Sequence, residues 1–428
     1  MRTFAYASLL GLAALAPLEA RQAQQPVQDP PKDAQAAPTF RSTAALIEVD
    51  VIVRDRNGKF VGGLTADDFE VFEDGKPQPV QQFYVVAGAR EAAVAPMPGT
   101  DAVDVRRPNR MFVFLFDQEH LGVESLSRLK RAAEAFITNE MRGDDVAGIV
   151  VNHRMAGGRL TNSKAELIAA LRTVMPYPDS RPSRMRALRE FPRVEGEYEA
   201  SRIAGGDERA LRETTERVCT ESSQLCTVEG GREVVMERIG VKARQYIDES
   251  RGAVGNVLRT LTTMSTGLAR LPGRKTLVLL SEGFFAEESR PALLQIAAQA
   301  ARSGVTIYAL DGRGLAGSGG REMNDVTTQG RGLVTALDSA EDGPAILAGE
   351  TGGFVLANAS NFTGALMQIA DDTSAYYVVG YAPTSARLDG KFRKIEVKTR
   401  VRDVKVRARK GYLATPLPEQ AQLRGGQY

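Results

Sequence analysis

The sequence predicts an α/β domain with a mainly parallel central sheet, flanked on both sides by antiparallel β-rich segments. In the middle of the chain, continuous apolar runs such as Met111–Phe116 alternate with amphipathic helical patterns. This order is typical of parallel strands joined by crossover helices. Before and after that region, at 45–53 and 392–399, apolar and polar residues alternate with a period of two, which indicates half-buried strands.

Residues 44–88 are predicted to be an N-terminal β-rich segment. The alternation at 45–53 is followed by Asn57-Gly58, and a second strand pattern at 69–73 is followed by Asp74-Gly75. Both dipeptides are strong hairpin-turn signals, which favours antiparallel pairing. A further strand pattern at 80–86 precedes an Ala-, Gly- and Pro-rich linker that extends to residue 108.

The α/β domain is predicted at 109–372, with an insertion at 176–251 that is mostly helical or irregular. The insertion has scattered Arg and Glu and few apolar residues. The predicted buried strands are Met111–Phe116, Val146–Val151, Thr276–Leu280 and Val305–Leu310. The predicted helices are Ser125–Met141, Lys164–Val174, Val254–Leu271, Leu293–Ala301 and Phe362–Ile369.

The C-terminal segment at 373–414 returns to strand patterns, at 376–381, 392–399 and 404–408. Two arrangements of the β-rich segments fit this order. In one, residues 44–88 and 373–414 are halves of a single β-sandwich into which the α/β domain is inserted. In the other, they form two separate β modules.

The N-terminus has the features of a secretory signal. Arg2 precedes an apolar run at 4–18, and small residues at 20 and 23 end two candidate cleavage sites. We therefore expect a signal peptide at 1–23 and a periplasmic or secreted protein, with an uncleaved N-terminal anchor as the alternative. The Gln-, Pro- and Ala-rich residues 24–43 predict a disordered linker.

The charge and the cysteines narrow the function classes. Lys and Arg exceed Asp and Glu by only two, so the net charge gives no support for a nucleic-acid partner. No later apolar stretch is long enough to span a membrane. Cys219 and Cys226 are close in sequence, and an oxidising compartment favours a local disulfide over two free thiols.

Ligands of open α/β sheets bind beyond the carboxyl ends of the strands. That rule selects Asp117, Ser281 with Glu282, and Asp311 as candidate site residues. The two histidines, His120 and His153, also follow predicted strands. The Gly-rich segments at 317–320 and 330–332 match no phosphate-binding loop, and Ser281 lacks the glycines of a nucleophile elbow. The sequence therefore assigns no catalytic residues.

Several phrases of the sequence, in their order along the chain, resemble the von Willebrand factor A-related proteins of the acidobacterial type. They cover most of 44–413 except much of the insertion. The resemblance implies a Rossmann-like von Willebrand factor type A (VWA) domain and an exported protein. The matching phrases are LTADDFEVFEDG at 64–75, FVFLFD at 112–117, LLSEGF at 279–284, IYALD at 307–311, YVVGY at 377–381 and VRARKGY at 406–412.

The resemblance also implies a metal-ion-dependent adhesion site, from which this sequence departs. The usual Asp-x-Ser-x-Ser reads Asp117, Glu119 and Leu121 here, and Ser281-Glu282-Gly283 stands where Thr-Asp-Gly is usual. In one interpretation Asp117, Glu119 and Glu282 form a remodelled site for Mg²⁺ or Ca²⁺, since carboxylate oxygens suit hard cations. In the other, the metal site is degenerate and binds no cation.

These observations predict an exported, non-catalytic binding or adhesion module. It would contact an unidentified extracytoplasmic protein through the loops at the carboxyl edge of the sheet. One alternative is a metal-assisted hydrolase that uses Asp117, Glu119, His120 and Glu282. A second alternative is a structural component of the cell envelope.

Overall fold

The computed structural model describes residues 46–87, 105–106, 110–284, 289–313, 343–356, 361–383, 385 and 387–416. The predicted signal peptide (1–23), the linker at 24–43, most of the linker at 87–108 and both Gly-rich segments lie outside them. In this described part, no helix combines the length and the apolar character needed to cross a membrane.

The described elements alternate between strands and helices in the middle of the chain. The strands are β1 (Ile47–Arg54), β2 (Phe69–Glu73), β3 (Lys76–Gln78), β4 (Gln82–Ala87), β5 (Val105–Arg106), β6 (Met111–Phe116), β7 (Val146–Val151), β8 (Arg154–Met155), β9 (Lys275–Ser281), β10 (Val305–Asp311), β11 (Val355–Leu356), β12 (Ala375–Tyr381), β13 (Phe392–Thr399), β14 (Lys405–Arg407) and β15 (Gly411–Leu413). The helices are α1 (Val123–Asn139), α2 (Lys164–Arg172), α3 (Arg181–Arg189), α4 (Glu197–Ala204), α5 (Glu208–Glu221), α6 (Ser223–Cys226), α7 (Gly231–Leu268), α8 (Arg290–Arg302), α9 (343–351) and α10 (Phe362–Ser374).

A six-stranded sheet forms the centre of the α/β region. Its strand order is β11-β10-β9-β6-β7-β8, and every neighbouring pair is parallel except β7 with β8. The first strand of this sheet in the chain, β6, therefore lies between β9 and β7. The predicted α/β class with a mainly parallel central sheet is confirmed.

Both faces of this sheet are covered by helices, which explains why its strands are continuously apolar. Phe112 and Phe114 of β6 point to one face and pack against Phe136 of α1, with ring centroids 5.1 and 5.4 Å apart. Met111 and Val113 point to the opposite face, into a cluster that includes side chains of α7, α8 and α9. The period-two geometry of a strand thus supplies both halves of the core.

The N- and C-terminal β-rich segments pair with each other in two further, mainly antiparallel sheets. One has the order β14-β1-β12-β4-β5 and the other β15-β13-β2-β3, so each sheet takes strands from both segments. Val49, Val71, Tyr377 and Ile395, contributed by both sheets, belong to one buried cluster. The chain therefore forms a two-sheet sandwich whose halves precede and follow the α/β region in the sequence.

The two predicted hairpin turns behave differently. Asp74 and Gly75 have φ angles of 48° and 77° and join β2 to its antiparallel partner β3. At Asn57-Gly58 the chain also turns, but only a single bridge, Arg54 with Phe60, follows. The turn predicted at Asn57-Gly58 is present, and β1 uses its edges mainly to pair with β12 and β14.

The insertion forms a helical lobe of α3, α4, α5, α6 and the first half of α7. Its core includes Leu188, Ile203, Val218 and Ile239. Cys219 and Cys226 form a disulfide within it. Helix α7 runs without interruption from the lobe onto the sheet, so the helix predicted at Val254–Leu271 begins earlier, at Gly231. The polar exposed face of α7 conceals this continuity in the sequence.

Candidate functional site

The carboxyl ends of β6 and β9 bring Asp117, Ser281 and His120 into one buried cluster. The two strands pair in parallel, so Asp117 and Ser281 lie side by side at the same edge. The Ser281 hydroxyl donates to Asp117 Oδ2 at 2.7 Å, and His120 Nδ1 lies 2.8 Å from Asp117 Oδ1. All three residues are buried, and His120 is completely so.

A short 3-10 helix at Gln118–His120 explains how His120 reaches the aspartate three residues before it. The same turn directs the imidazole against the ring of Phe284, with centroids 5.4 Å apart. No described residue forms a hydrogen bond with His120 Nε2. The histidine is thus held by one ring nitrogen, and its ring packs on Phe284.

Ser281 does not act on His120 in this arrangement. Its oxygen accepts a hydrogen bond from the Gly283 amide at 3.0 Å while its proton points to Asp117. A serine nucleophile needs its hydroxyl bonded to a general base such as histidine. Asp117 lies between the serine and the histidine. The three side chains therefore hold the ends of β6 and β9 together, and the serine and histidine are not paired as nucleophile and base.

Glu119 lies in a different group, facing α7. Its Oε1 accepts from Asn256 Nδ2 at 2.7 Å and lies 3.5 Å from Nε2 of His153. His153 Nδ1 is 2.9 Å from the Thr260 hydroxyl, which itself donates to the Asn256 carbonyl. Glu119 and His153 are thus both held against α7.

Glu282 also has a main-chain partner. Its Oε1 accepts from the Gly122 amide at 2.8 Å, immediately before α1 begins. A carboxylate at this position is favoured by the positive end of the helix dipole. Pro182 of α3 lies next to Gly122 on the lobe side.

A buried ion pair joins helices within the lobe. Arg181 of α3 lies 3.0 Å from Glu197 of α4, and Ser250 of α7 donates to Glu197 at 3.0 Å. Burial raises the pKa of Glu197, but the charge and hydrogen bond of Arg181 and the bond from Ser250 lower it below its usual range. Glu197 is therefore ionised at neutral pH and holds three lobe helices together.

Asp117, Glu119 and Glu282, the predicted metal ligands, thus have separate protein partners. Among the described residues, no group of three or more His, Cys, Asp or Glu side chains could hold a metal ion. The metal assignment stays a prediction for the full chain. Asp311, the fourth candidate, forms an ion pair with Arg313 at 2.6 Å.

The sequence analysis missed the residues that come from the lobe and from α7. Asn256 and Thr260 reach Glu119 and His153 only through tertiary packing, and Arg181 and Glu197 pair with each other inside the lobe. Asn256 and Thr260 offer one weak local signal, since they are polar residues four apart on a helix whose neighbours Val257 and Leu261 are apolar.

No protein-family model matches the chain, and no curated protein matches it either.

Proposed function

We propose that this chain is an exported, non-catalytic binding protein whose α/β region is a VWA-like domain with a degenerate metal site. The strand order supports the VWA assignment, because β6 lies centrally and Asp117 and Glu282 follow the first and fourth strands of the sheet. The hydrogen bonds of Asp117 support degeneracy, since both of its oxygens already have protein partners.

The observation that carries the binding proposal is a group of exposed apolar side chains on the helical lobe. Val234 and Val241 are seven residues apart on α7, so they share one face of that helix. Leu225 and Val228 lie beside Gly231 at its N-terminus. These four residues, which we call the lobe patch, are 47–60% exposed. Neighbouring exposed apolar residues are a feature of protein-contact surfaces.

Helix α7 links the lobe patch to the sheet. Its first half carries Val234 and Val241 of the patch, and its second half packs Val254 and Leu261 on the sheet. Glu119 bonds to Asn256 of the same helix. We infer that a protein partner binds the patch, and that the sheet edge holds the lobe in position for it.

The test is capture of a partner from an envelope extract of the source organism by the immobilised protein. The lobe variant carries Val234→Glu and Val241→Glu. The matched control carries Leu294→Glu and Met367→Glu, two exposed apolar residues on α8 and α10. We expect the wild type and the control to retain one discrete protein, and the lobe variant to lose it by about tenfold or more, as for interface hot spots.

Capture is measured with Mg²⁺, with Ca²⁺ and with a chelator. We expect no dependence on either cation, because the Asp117 carboxylate is bonded within the protein. Equal capture by the lobe variant and the control, or no capture by the wild type in any buffer, would contradict the proposal.

A further inference from the structure

A cleft lies at the amino-terminal edge of the parallel sheet, opposite the edge that carries Asp117, where the sandwich meets the sheet. Its volume is about 300 Å³, within the range of small-molecule pockets. Lys275 and Val305, the first residues of β9 and β10, line one side. Asp50 of β1 and Tyr376 of β12 line the other.

The lining of this cleft has an excess of positive charge. Four basic residues line it, contributed by the β9 region, α8 and the segment before β15: Arg274, Lys275, Arg302 and Arg409. Two acidic residues, Glu48 and Asp50, face them, and Glu48 is exposed to solvent. Cations gathered in a cleft with low-dielectric walls attract anions.

Arg274 is held in the cleft with part of its hydrogen-bonding capacity unused. It is 9% exposed, and its Nη2 donates to the Tyr308 hydroxyl at 2.9 Å. Its Nε lies 3.5 Å from Asp50, and its guanidinium group lies over the ring of Tyr376 at 4.6 Å. Nη1 has no hydrogen-bond partner among the residues described. A buried donor of this kind is normally paired.

The neighbouring cations donate to main-chain carbonyls and share the charge of one carboxylate, Asp50. Lys275 is 3% exposed, and its Nζ donates to Leu271 O at 2.8 Å. Arg409 donates to Ala301 O and Glu48 O, while its Nε has no partner within the described residues. Carbonyl oxygens position these groups without neutralising them.

We propose that this cleft binds a small organic oxyanion, a phosphate ester or a carboxylate, with Arg274 and Lys275 as its main contacts. A guanidinium with free N–H groups matches an oxyanion geometrically, and an ammonium adds a point charge beside it. The side chains of Ile52 and Val378 line the same cleft and contact the organic part. This site is separate from the lobe patch, so either proposal can fail alone.

The test is isothermal titration calorimetry of the purified protein at pH 7 and constant ionic strength. Three probes are used: inorganic phosphate, phenyl phosphate and benzoate. We expect saturable binding of phenyl phosphate or benzoate with a Kd below about 1 mM, and weaker binding of inorganic phosphate. The stronger of the two organic probes identifies the oxyanion class.

Two variants decide whether binding occurs in the cleft. Arg274→Gln and Lys275→Met are each expected to weaken binding by about tenfold or more, as for loss of a charge-assisted hydrogen bond. The matched control is Lys130→Met, since Lys130 also donates to a main-chain carbonyl, at Val174, outside the cleft. If Arg274→Gln fails to fold, Lys275→Met decides alone.

Two results would overturn the proposal. One is the absence of saturable binding of all three probes up to about 10 mM, a concentration well above the expected Kd of each organic probe. The other is equal affinity in Lys275→Met and Lys130→Met, which would place the binding elsewhere on the surface.

Discussion

Lys275, at the start of β9, is a cation that is almost completely buried. Burial lowers its pKa to about 8, although the charge of Asp50 opposes this. In the unfolded chain the same group has its ordinary pKa near 10.5. The charged form is therefore less stable in the folded protein than in water, and this burial opposes folding at neutral pH.

This shift predicts how stability depends on pH. Between about 8 and 10.5 the folded state has lost the Lys275 proton while the unfolded state keeps it, so raising the pH stabilises the wild type. Lys275→Met removes this dependence. We expect the variant to have the larger free energy of unfolding at pH 7, by an amount that shrinks towards pH 10.

Urea denaturation at pH 7, 8.5 and 10 measures this difference, with Lys130→Met as the control whose difference from wild type stays flat. A constant difference between Lys275→Met and wild type across that range would show that the lysine has its ordinary pKa. Because the measurement contains no added anion, it is independent of ligand binding.

At the scale of elements, α7 is the part of the chain that links the lobe to the sheet. It has 38 residues, and its two halves pack into different hydrophobic cores. Ile239 and Tyr246 pack in the lobe core, and Val257 and Leu261 pack on the sheet. Gly252 lies between these halves, exposed, with no atom within 4 Å of the position a Cβ would take.

Gly252→Ala is expected to stabilise the protein by about 0.5–1 kcal/mol, because alanine loses less backbone entropy in a helix. The control is Gly273→Ala, where φ is +74°. There a side chain strains the backbone, and we expect a loss of about 1–2 kcal/mol. The urea midpoints of both variants and the wild type measure these changes in stability. A destabilised Gly252→Ala would contradict the prediction and show that α7 requires glycine at that position.

The strands and helices differ in how well the sequence predicts them. The continuous apolar run of β6 predicts a strand buried on both faces, because each face receives alternate large side chains. The two-residue strands β8 and β11 are too short for any periodicity. The helices α3–α6 are also missed one by one, since residues 181–226 carry so few apolar positions that their helical period is hidden.

At the scale of the whole molecule, Asp372 joins the sandwich to the α/β region. Its side chain is 1% exposed and accepts from Arg54 of β1 at 3.0 Å. Arg407 of β14 is its second cationic partner. Tyr308 of β10 donates to it at 2.7 Å and in turn accepts from Arg274. Four elements from three parts of the chain therefore depend on one carboxylate.

Asp372→Asn is expected to destabilise the protein by about 3–5 kcal/mol, because two arginines lose the anion that pairs with them. The neighbouring Asp371 is exposed, so Asp371→Asn is a matched control with the same chemical change. Thermal and urea unfolding of both variants measure the effect. A cost for Asp372→Asn within about 0.5 kcal/mol of the control, the range of surface substitutions, would show that the network contributes little.

The candidate sites are predictable only in part. Asp117 and Ser281 could be placed at one edge, because parallel strands bring their carboxyl ends together. The sequence does not show that Glu119 belongs to a different group of side chains, because its partner Asn256 lies in a helix that is distant in the sequence. The anion cleft gives no local signal at all, because its four cations come from three separate segments of the chain and the sequence pattern does not say which of these become neighbours.

The pairing of β1 with β12 also constrains how the nascent chain can fold. The N-terminal strands are made first, yet β1 and β4 lack their shared neighbour until residues 375–381 have been synthesised. Until then their unpaired edges are exposed to other chains, and such edges promote aggregation. The sheet can therefore close only after almost the whole chain has been synthesised.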